Sequence, residues 1–356
     1  MRTIIVTGGF GFIGSNLVKL LNDMYESFRI IVVDSMTYAA DTKNLEGLRH
    51  EHWNIDISNT NQVNRLLELN PKDVEGIIHL AAESHVDNSI NGPMPFVFSN
   101  VVGTVNLLEI ARKFHEANPK FRFLHVSTDE VYGSLNIGDE RFSENTAYDP
   151  RSPYSASKAS SDHFVMAYHH TYGLPVNITN CSNNYGPNQH DEKLIPTVIR
   201  SIVNNQSIPV YGNGKNIRDW LFVEDHCRAI MRVFNTSNLG RTYCIGGDSE
   251  MSNLDLIYSI CDLCDLELGR SGRTSSRNLI TFVEDRKGHD FRYAIDHGLI
   301  SFHTGWHPLY NLQSGLRETV NWYLNKYTDD KHITKNNLNN GWTEIPRAKD
   351  IEETKI

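Results

Sequence analysis

The segment 127-STDEVYG-133 places Asp129 directly beside Glu130, with Thr128 before them, at the end of the apolar run 121-FRFLHV-126. Carboxylates at the end of a buried strand are costly unless they are solvated, hydrogen-bonded or used in chemistry. A solvated turn is the ordinary fate of such a pair, but a position at a strand's carboxyl edge ahead of a reactive motif argues for chemistry. That motif is 154-YSASK-158, where Tyr154 and Lys158 stand four apart near a helix start and project from one face. An ammonium beside a phenol stabilises the phenolate and lowers its pKa from about 10 towards working pH. Tyr154 then removes a proton from an alcohol as hydride leaves its carbon. An exposed helical Tyr/Lys pair is the bland alternative for an isolated motif of this kind.

A hydride needs an acceptor, and 8-GGFGFIG-14 supplies a place for one. Gly8, Gly11 and Gly14 follow a strand directly, and a helix opens at Phe12 and Ile13. Glycines there permit a tight turn and close approach of a pyrophosphate, whose charge meets helix N-terminal amides. Asp34 ends the second strand twenty residues after Gly14, where a carboxylate accepts both ribose hydroxyls and repels a 2′-phosphate. The cofactor expected is NAD rather than NADP. Asp56 and Ile57 after the third strand lie by the adenine, and Leu80, Ala81 and Ala82 in 80-LAAES-84 are small enough for backbone to run close to a ligand.

These residues need a frame. The runs 3-TIIVT-7, 29-RIIVVD-34, 76-GIIHLA-81 and 121-FRFLHVS-127 are short and continuously apolar, separated by helical stretches from about Phe12, near 60-TNQVNRLLEL-69 and through 101-VVGTVNLLEIARKF-114. Such alternation predicts βαβ units: an α/β fold with a Rossmann-type doubly wound parallel sheet. Ser152 as cap and Pro153 in the first turn open the helix that carries Tyr154 and Lys158. A first lobe is read over residues 1–177, with 218-RDWLFVEDHCRAIMRVF-234 belonging to a return segment over 218–240. A smaller mixed α/β substrate-binding lobe takes 178–217 and 241–327, and a polar tail with the Asn-rich 336-NNLNNG-341 takes 328–356.

The chain has 356 residues and a formal net charge of −9, which gives no overall basic surface for nucleic acid or anionic lipid. No membrane or nucleic-acid partner is expected. The N-terminal apolar stretch is broken by glycines and lacks a cleavage pattern, and no run is read as approaching membrane-spanning length. Five scattered cysteines point to a reducing compartment, the cytoplasm. The CxxC at Cys261 and Cys264 has no second pair at zinc spacing and is read as core; no metal is expected.

The ordered series 8-GGFGFIGS-15, 81-AAESHVDNSI-90, 127-STDEVYG-133, 154-YSASK-158, 180-NCSNNYGPNQHDEKLIP-196 and 285-DRKGHDFRYAID-296 resembles the extended short-chain dehydrogenase/reductase family, and within it the nucleotide-sugar 4,6-dehydratases, over residues 1–325. The resemblance implies NAD-dependent dehydration of a nucleoside-diphosphate glucose, dTDP-glucose or UDP-glucose, in deoxysugar (rhamnose-type) biosynthesis. It gives Thr128 the C4 oxygen to orient, Glu130 the C5 proton to remove, and Asp129, protonated, the C6 hydroxyl to expel. Two touching carboxyls suit that division, since each raises the other's pKa. Ser35, Thr37, Ser99, Ser127 and Asn184 match further cofactor contacts, with Tyr154 and Lys158. Ser84, Asn183, Lys193, Leu194, Pro209, Val210, Tyr211, Arg218, Asn253, Asp285, Arg286 and His289 match substrate contacts. A homodimer is implied, joined through helices near 94–117 and 152–172.

The sequence departs from the family's pattern at three places. Phe10 stands where a small residue is usual, Asn88 replaces an Arg of the bacterial thymidine-type enzymes, and 39-AADTKNLEGL-48 is long. The nucleotide base therefore stays open between thymine and uracil. A 4-epimerase has no need of the Asp/Glu pair, a UDP-glucuronate decarboxylase differs at the Asp position, and a non-catalytic NAD-binding module has no need of either motif.

Overall fold

The computed structural model describes residues 2–285 and 290–329. Twelve strands are formed among them: β1 (Thr3–Thr7), β2 (Arg29–Asp34), β3 (Glu51–Asn54), β4 (Val74–His79), β5 (Arg122–Thr128), β6 (Val176–Cys181), β7 (Asn183–Tyr185), β8 (Ile208–Tyr211), β9 (Ile217–Phe222), β10 (Arg241–Ile245), β11 (Glu250–Ser252) and β12 (Ile280–Val283). Seven make one parallel sheet in the order β10-β6-β5-β4-β1-β2-β3. The order reverses between β1 and β4, and such a switch point leaves a crevice at the carboxyl edge.

Alternate side chains of each strand face opposite layers. Ile4, Val6, Ile30 and Val32 join a core under the Phe12–Met24 and Val223–Asn235 helices. Ile5, Ile31, Val33 and Ile77 join the opposite core under the Gly103–Ala117 and Pro153–Tyr172 helices. A fully buried Ile or Val contributes on the order of 2 kcal/mol, so both layers press the sheet into one rigid platform. A third core holds the Leu194–Val203, Asn253–Leu268 and Leu312–Asp329 helices together, and Cys261 and Cys264 lie within it.

The chain's return to the first sheet extends beyond residue 240. β10 pairs with β6, because its Tyr243, Cys244 and Ile245 are buried there, whereas β9 pairs with β7 and β11 in a separate three-stranded sheet. The helix expected near 60–69 is a short α turn, Thr60–Val63, running into a 3-10 turn, Asn64–Glu68. One helical run, Met94–Ala117, is 24 residues long and apolar enough by length and composition to cross a membrane, which corrects the sequence reading on that point. It packs in part against the sheet's second layer through Leu107, Ile110 and Phe114. The polar tail beyond residue 329 lies outside the described residues.

Candidate active site

β5 ends at Thr128, and the chain turns at once through a single 3-10 turn, Asp129–Tyr132. Thr128 caps that turn: its hydroxyl accepts the Glu130 amide at 3.3 Å and donates to Asp129 Oδ1 at 3.4 Å. Asp129 is 2% exposed, and its Oδ2 meets no hydrogen-bond partner among the described residues. Burial first, then the charges of Glu130 and Asp219, push its pKa well above the ordinary carboxyl range, while the Arg218 guanidinium pulls the other way. That direction favours the acid form, which has a proton to give. Glu130 is half-buried on the same turn.

Tyr154 reaches this spot from the first turn of the Pro153–Tyr172 helix. Ser152 accepts the Ser155 amide at 3.0 Å and Pro153 occupies the opening turn, as the sequence predicts. The buried phenol lies close enough to Thr128, Asp129 and Glu130 for the hydroxyl and both carboxyls to act on it, so the four residues converge at the end of β5. Burial and the Glu130 charge raise the phenol's pKa well above the ordinary value. This differs from the expectation that Lys158 lowers it. The ammonium turns instead to the Val126 carbonyl at 2.9 Å, with His125 Nε2 at 3.4 Å. Positive charge brought in by a ligand would add to that of the ammonium in favouring the phenolate.

The glycine turn is closed to side chains. Gly8 has φ +70°, and a Cβ there would lie 2.8 Å from the Ala81 nitrogen; a Cβ on Gly14 would lie 2.1 Å from the Gly8 carbonyl oxygen. Gly11 brings no side chain to cap the Phe12–Met24 helix, which leaves its first amides for an anion. Thr7 Oγ1 accepts the Leu80 and Ala81 amides, both at 3.1 Å, and so fixes the β4 loop against this turn. Asp34 is buried and oriented by two amides, Phe10 at 3.1 Å and Met36 at 2.9 Å. A cradle of this kind fits a dinucleotide.

Phe10 leaves the cradle free. Its ring packs edge-on against His50 and His52, and its carbonyl accepts the Asp41 amide at 3.2 Å and the Asn44 side chain at 3.0 Å. The long 39–48 segment is thus docked on the glycine turn by the same large residue that departs from the family pattern.

Of the remaining cofactor candidates, Ser35 and Thr37 are exposed beside Asp34, Ser99 lies in the π-helical turn Val97–Val102, and Ser127 donates to Asp162. Asp56 is bound to the Ser58 amide and hydroxyl at 2.9 and 2.8 Å, and Ile57 is buried. Asn184 Oδ1 pairs with His226 Nδ1 at 2.8 Å.

Among substrate candidates, Lys193 donates to the Ser84 carbonyl at 3.3 Å and joins the two lobes' loops. Asn183 lies on β7 with a buried Oδ1 that has no hydrogen-bond partner among the described residues, while Pro209, Val210 and Tyr211 lie on β8 against β12. Arg218 is steered by the Ile217 and Asp290 carbonyls at 2.7 and 3.0 Å and stacks over Tyr293 at 4.3 Å. Leu194 and Asn253 each begin a helix, and Asp285 lies over Gly212. Arg286 and His289 lie outside the described residues.

Sequence reasoning missed several buried polar residues. Asn100 holds the Glu83 amide at 2.8 Å and the Ser157 hydroxyl at 2.8 Å, tying the β4 loop to the Tyr154 helix. His79, His125 and Asp162 lie beneath Lys158. Asp162 follows Lys158 by the same four-residue step that separates Tyr154 from Lys158, which is a legible signal.

Comparison with known proteins bears on this site. Residues 5–319 match the family described as GDP-mannose 4,6 dehydratase. The dTDP-glucose 4,6-dehydratase of Salmonella typhimurium is 48% identical over 339 residues, covering 90% of this chain and 92% of that protein. That of Neisseria meningitidis is 46% identical, covering 96% and 98%. The crystal structure of a dTDP-glucose 4,6-dehydratase from Streptomyces venezuelae with NAD bound superposes with a TM-score of 0.82 at 40% identity, covering 92% of this chain and 98% of that one.

Proposed function

The chain belongs to the GDP-mannose 4,6 dehydratase family, and from that premise we propose that it is a hydro-lyase converting dTDP-glucose to the 4-keto-6-deoxy sugar nucleotide. The observation that carries this reading is Asp129: a buried carboxyl whose pKa is pushed well up, with one oxygen unpartnered among the described residues, beside Thr128 and Tyr154. Neither epimerisation nor simple alcohol oxidation has a use for such an acid.

The turn at Gly8, Gly11 and Gly14 with Asp34 would hold NAD, which would supply a hydride acceptor for C4, a hydride donor for C6 and a positive charge favouring the ionised phenol. Tyr154 takes the proton of the C4 hydroxyl, with Thr128 orienting that oxygen. The C5 proton, now alpha to a ketone, is acidic, and Glu130 takes it. Asp129 hands its proton to the departing C6 hydroxyl, which leaves as water. Arg218, held by two carbonyls and an aromatic face, is chemically suited to the diphosphate.

The thymidine nucleotide is favoured because the 46–48% identical relatives act on dTDP-glucose by name. Purified protein should convert dTDP-glucose faster than UDP-glucose without added NAD, read by the alkali-induced absorbance of a 4-keto sugar. Unchanged substrate in both reactions contradicts the proposal.

The chain is further read as a homodimer. Met94, Phe98, Phe164 and Tyr172 are large, apolar and exposed on the two helical stretches expected to pair, and burial against a second copy removes that surface from water. Sedimentation at the mass of one chain contradicts it. Five unpaired, buried cysteines support a cytoplasmic setting.

A further inference from the structure

Tyr154, Lys158 and Asp162 climb one face of the Pro153–Tyr172 helix at successive turns. His125 Nε2 stands beside the last two, 3.4 Å from Lys158 Nζ and 3.3 Å from Asp162 Oδ1. Lys158, His125 and Asp162 are 4%, 0% and 1% exposed, so this is a line of ionisable groups inside the protein. The other Asp162 oxygen accepts from Ser127 at 2.9 Å, Tyr148 at 3.0 Å and Asn180 at 3.3 Å. Three neutral donors on one oxygen favour the ionised carboxylate.

A buried ammonium gives up its proton unless a counter-charge is near. The titratable groups facing Lys158 are Asp162 on its own helix, His125 on β5, His79 on β4, and Cys181 at the end of β6, with Tyr154 one turn earlier on the same helix. Burial holds both imidazoles neutral and pushes the Cys181 thiol up to about 12. Of these groups Asp162 alone carries negative charge at neutral pH. We propose that Asp162, facing Lys158 past the edge of the neutral His125 ring, is the counter-charge that keeps Lys158 cationic on the turn after Tyr154 during the oxidation step. This rests on the dehydratase reading. Asp162 acts here through Lys158 and is a positioning residue.

The neighbouring charges agree with the geometry. Burial lowers Lys158 to about 8 while Asp162 opposes that fall, and burial raises Asp162 to about 6 while Lys158 opposes that rise. Both are ionised between those values.

In Asp162→Asn the alkaline fall of kcat for dTDP-glucose should move to lower pH by about one unit or more, with KM unchanged. Ultraviolet difference titration of the as-purified holoenzyme, referenced to Tyr154→Phe in the same background, should show the phenolate forming at higher pH. That titration needs no turnover, so it reads the role of Asp162 even if dTDP-glucose is not a substrate. Tyr148→Phe removes a hydrogen bond from the same carboxylate but keeps its charge, and should leave the alkaline limb in place. If Asp162→Asn does not fold, Asp162→Ser removes the same charge and should shift the alkaline limb in the same direction. Unchanged titrations in the variant that folds, or an equal shift in Tyr148→Phe, overturn the proposal.

Discussion

Thr128 Oγ1 donates to Asp129 Oδ1 across 3.4 Å, while Asp129 Oδ2 is buried with no partner among the described residues. One oxygen orients the group and the other faces nothing that could take its proton. Asp129→Asn keeps the shape and removes the proton. Loss of water from C6 should slow by about 10²–10⁴-fold, while oxidation at C4 still occurs once per bound NAD, so that a 4-keto, 6-hydroxy sugar nucleotide forms in stoichiometric amount with reduced cofactor, read by its near-ultraviolet absorbance. Equal loss of both steps contradicts the assignment of Asp129 as the acid.

Glu130 sits on the same turn but is half-buried, and it is assigned the C5 proton. Glu130→Gln should therefore stop exchange of that proton with solvent without abolishing C4 oxidation. Turnover is expected to fall by about 10²-fold or more. Mass spectrometry of the sugar after incubation in heavy water separates this defect from that of Asp129→Asn, and undiminished exchange counts against Glu130.

Gly14 lies so close to the Gly8 carbonyl that a Cβ would stand 2.1 Å from its oxygen. Gly14→Ala must push the turn apart, and the cost falls on the pyrophosphate cradle. The purified variant should lose bound NAD, read as a drop in the ratio of absorbance at the nucleotide band to that of the protein. Full NAD content would mean that the cofactor lies elsewhere.

His226 is fully buried against Asn184, and burial lowers its pKa to about 3. The unfolded chain, with an ordinary value of about 6.5, binds the extra proton between those two values. Stability from this group is full above about 6.5 and is lost as pH falls, at up to about 1.4 kcal/mol per unit. Asp129 and Asp162, whose values are raised, act in the opposite sense. The comparison is therefore between variants: His226→Gln should lose less stability than the parent from about pH 7 to about pH 5 in urea unfolding. Parallel losses contradict a neutral buried ring.

Periodicity and punctuation made much of this protein legible. Apolar strands, a glycine turn with Asp34 at the next strand's end, and a capped helix opening on Tyr154 are local signals, and each reappears where the pattern puts it. What stayed hidden depends on contacts distant in the chain. His79 and His125 sit inside apolar strands and read as core, yet they are register partners on neighbouring strands beneath Lys158. The direction of the Lys158 ammonium is set by the Val126 carbonyl, which no helix pattern reveals. Asn100 looks like a polar lapse in an apolar helix and is a bracket between the β4 loop and the Tyr154 helix. β10 is too short and too far along the chain for its pairing with β6 to be read from spacing.

The central claim is that elimination across C5 and C6 proceeds at this site with the hydride borrowed and returned. Conversion of dTDP-glucose in heavy water by the as-purified protein, followed by NMR, tests it most directly. The account predicts a 4-keto-6-deoxy product carrying solvent deuterium at C5, with the hydrogen delivered to C6 derived from C4 of the same sugar. A product retaining its original C5 hydrogen, or one with solvent deuterium in place of the hydride at C6, contradicts it.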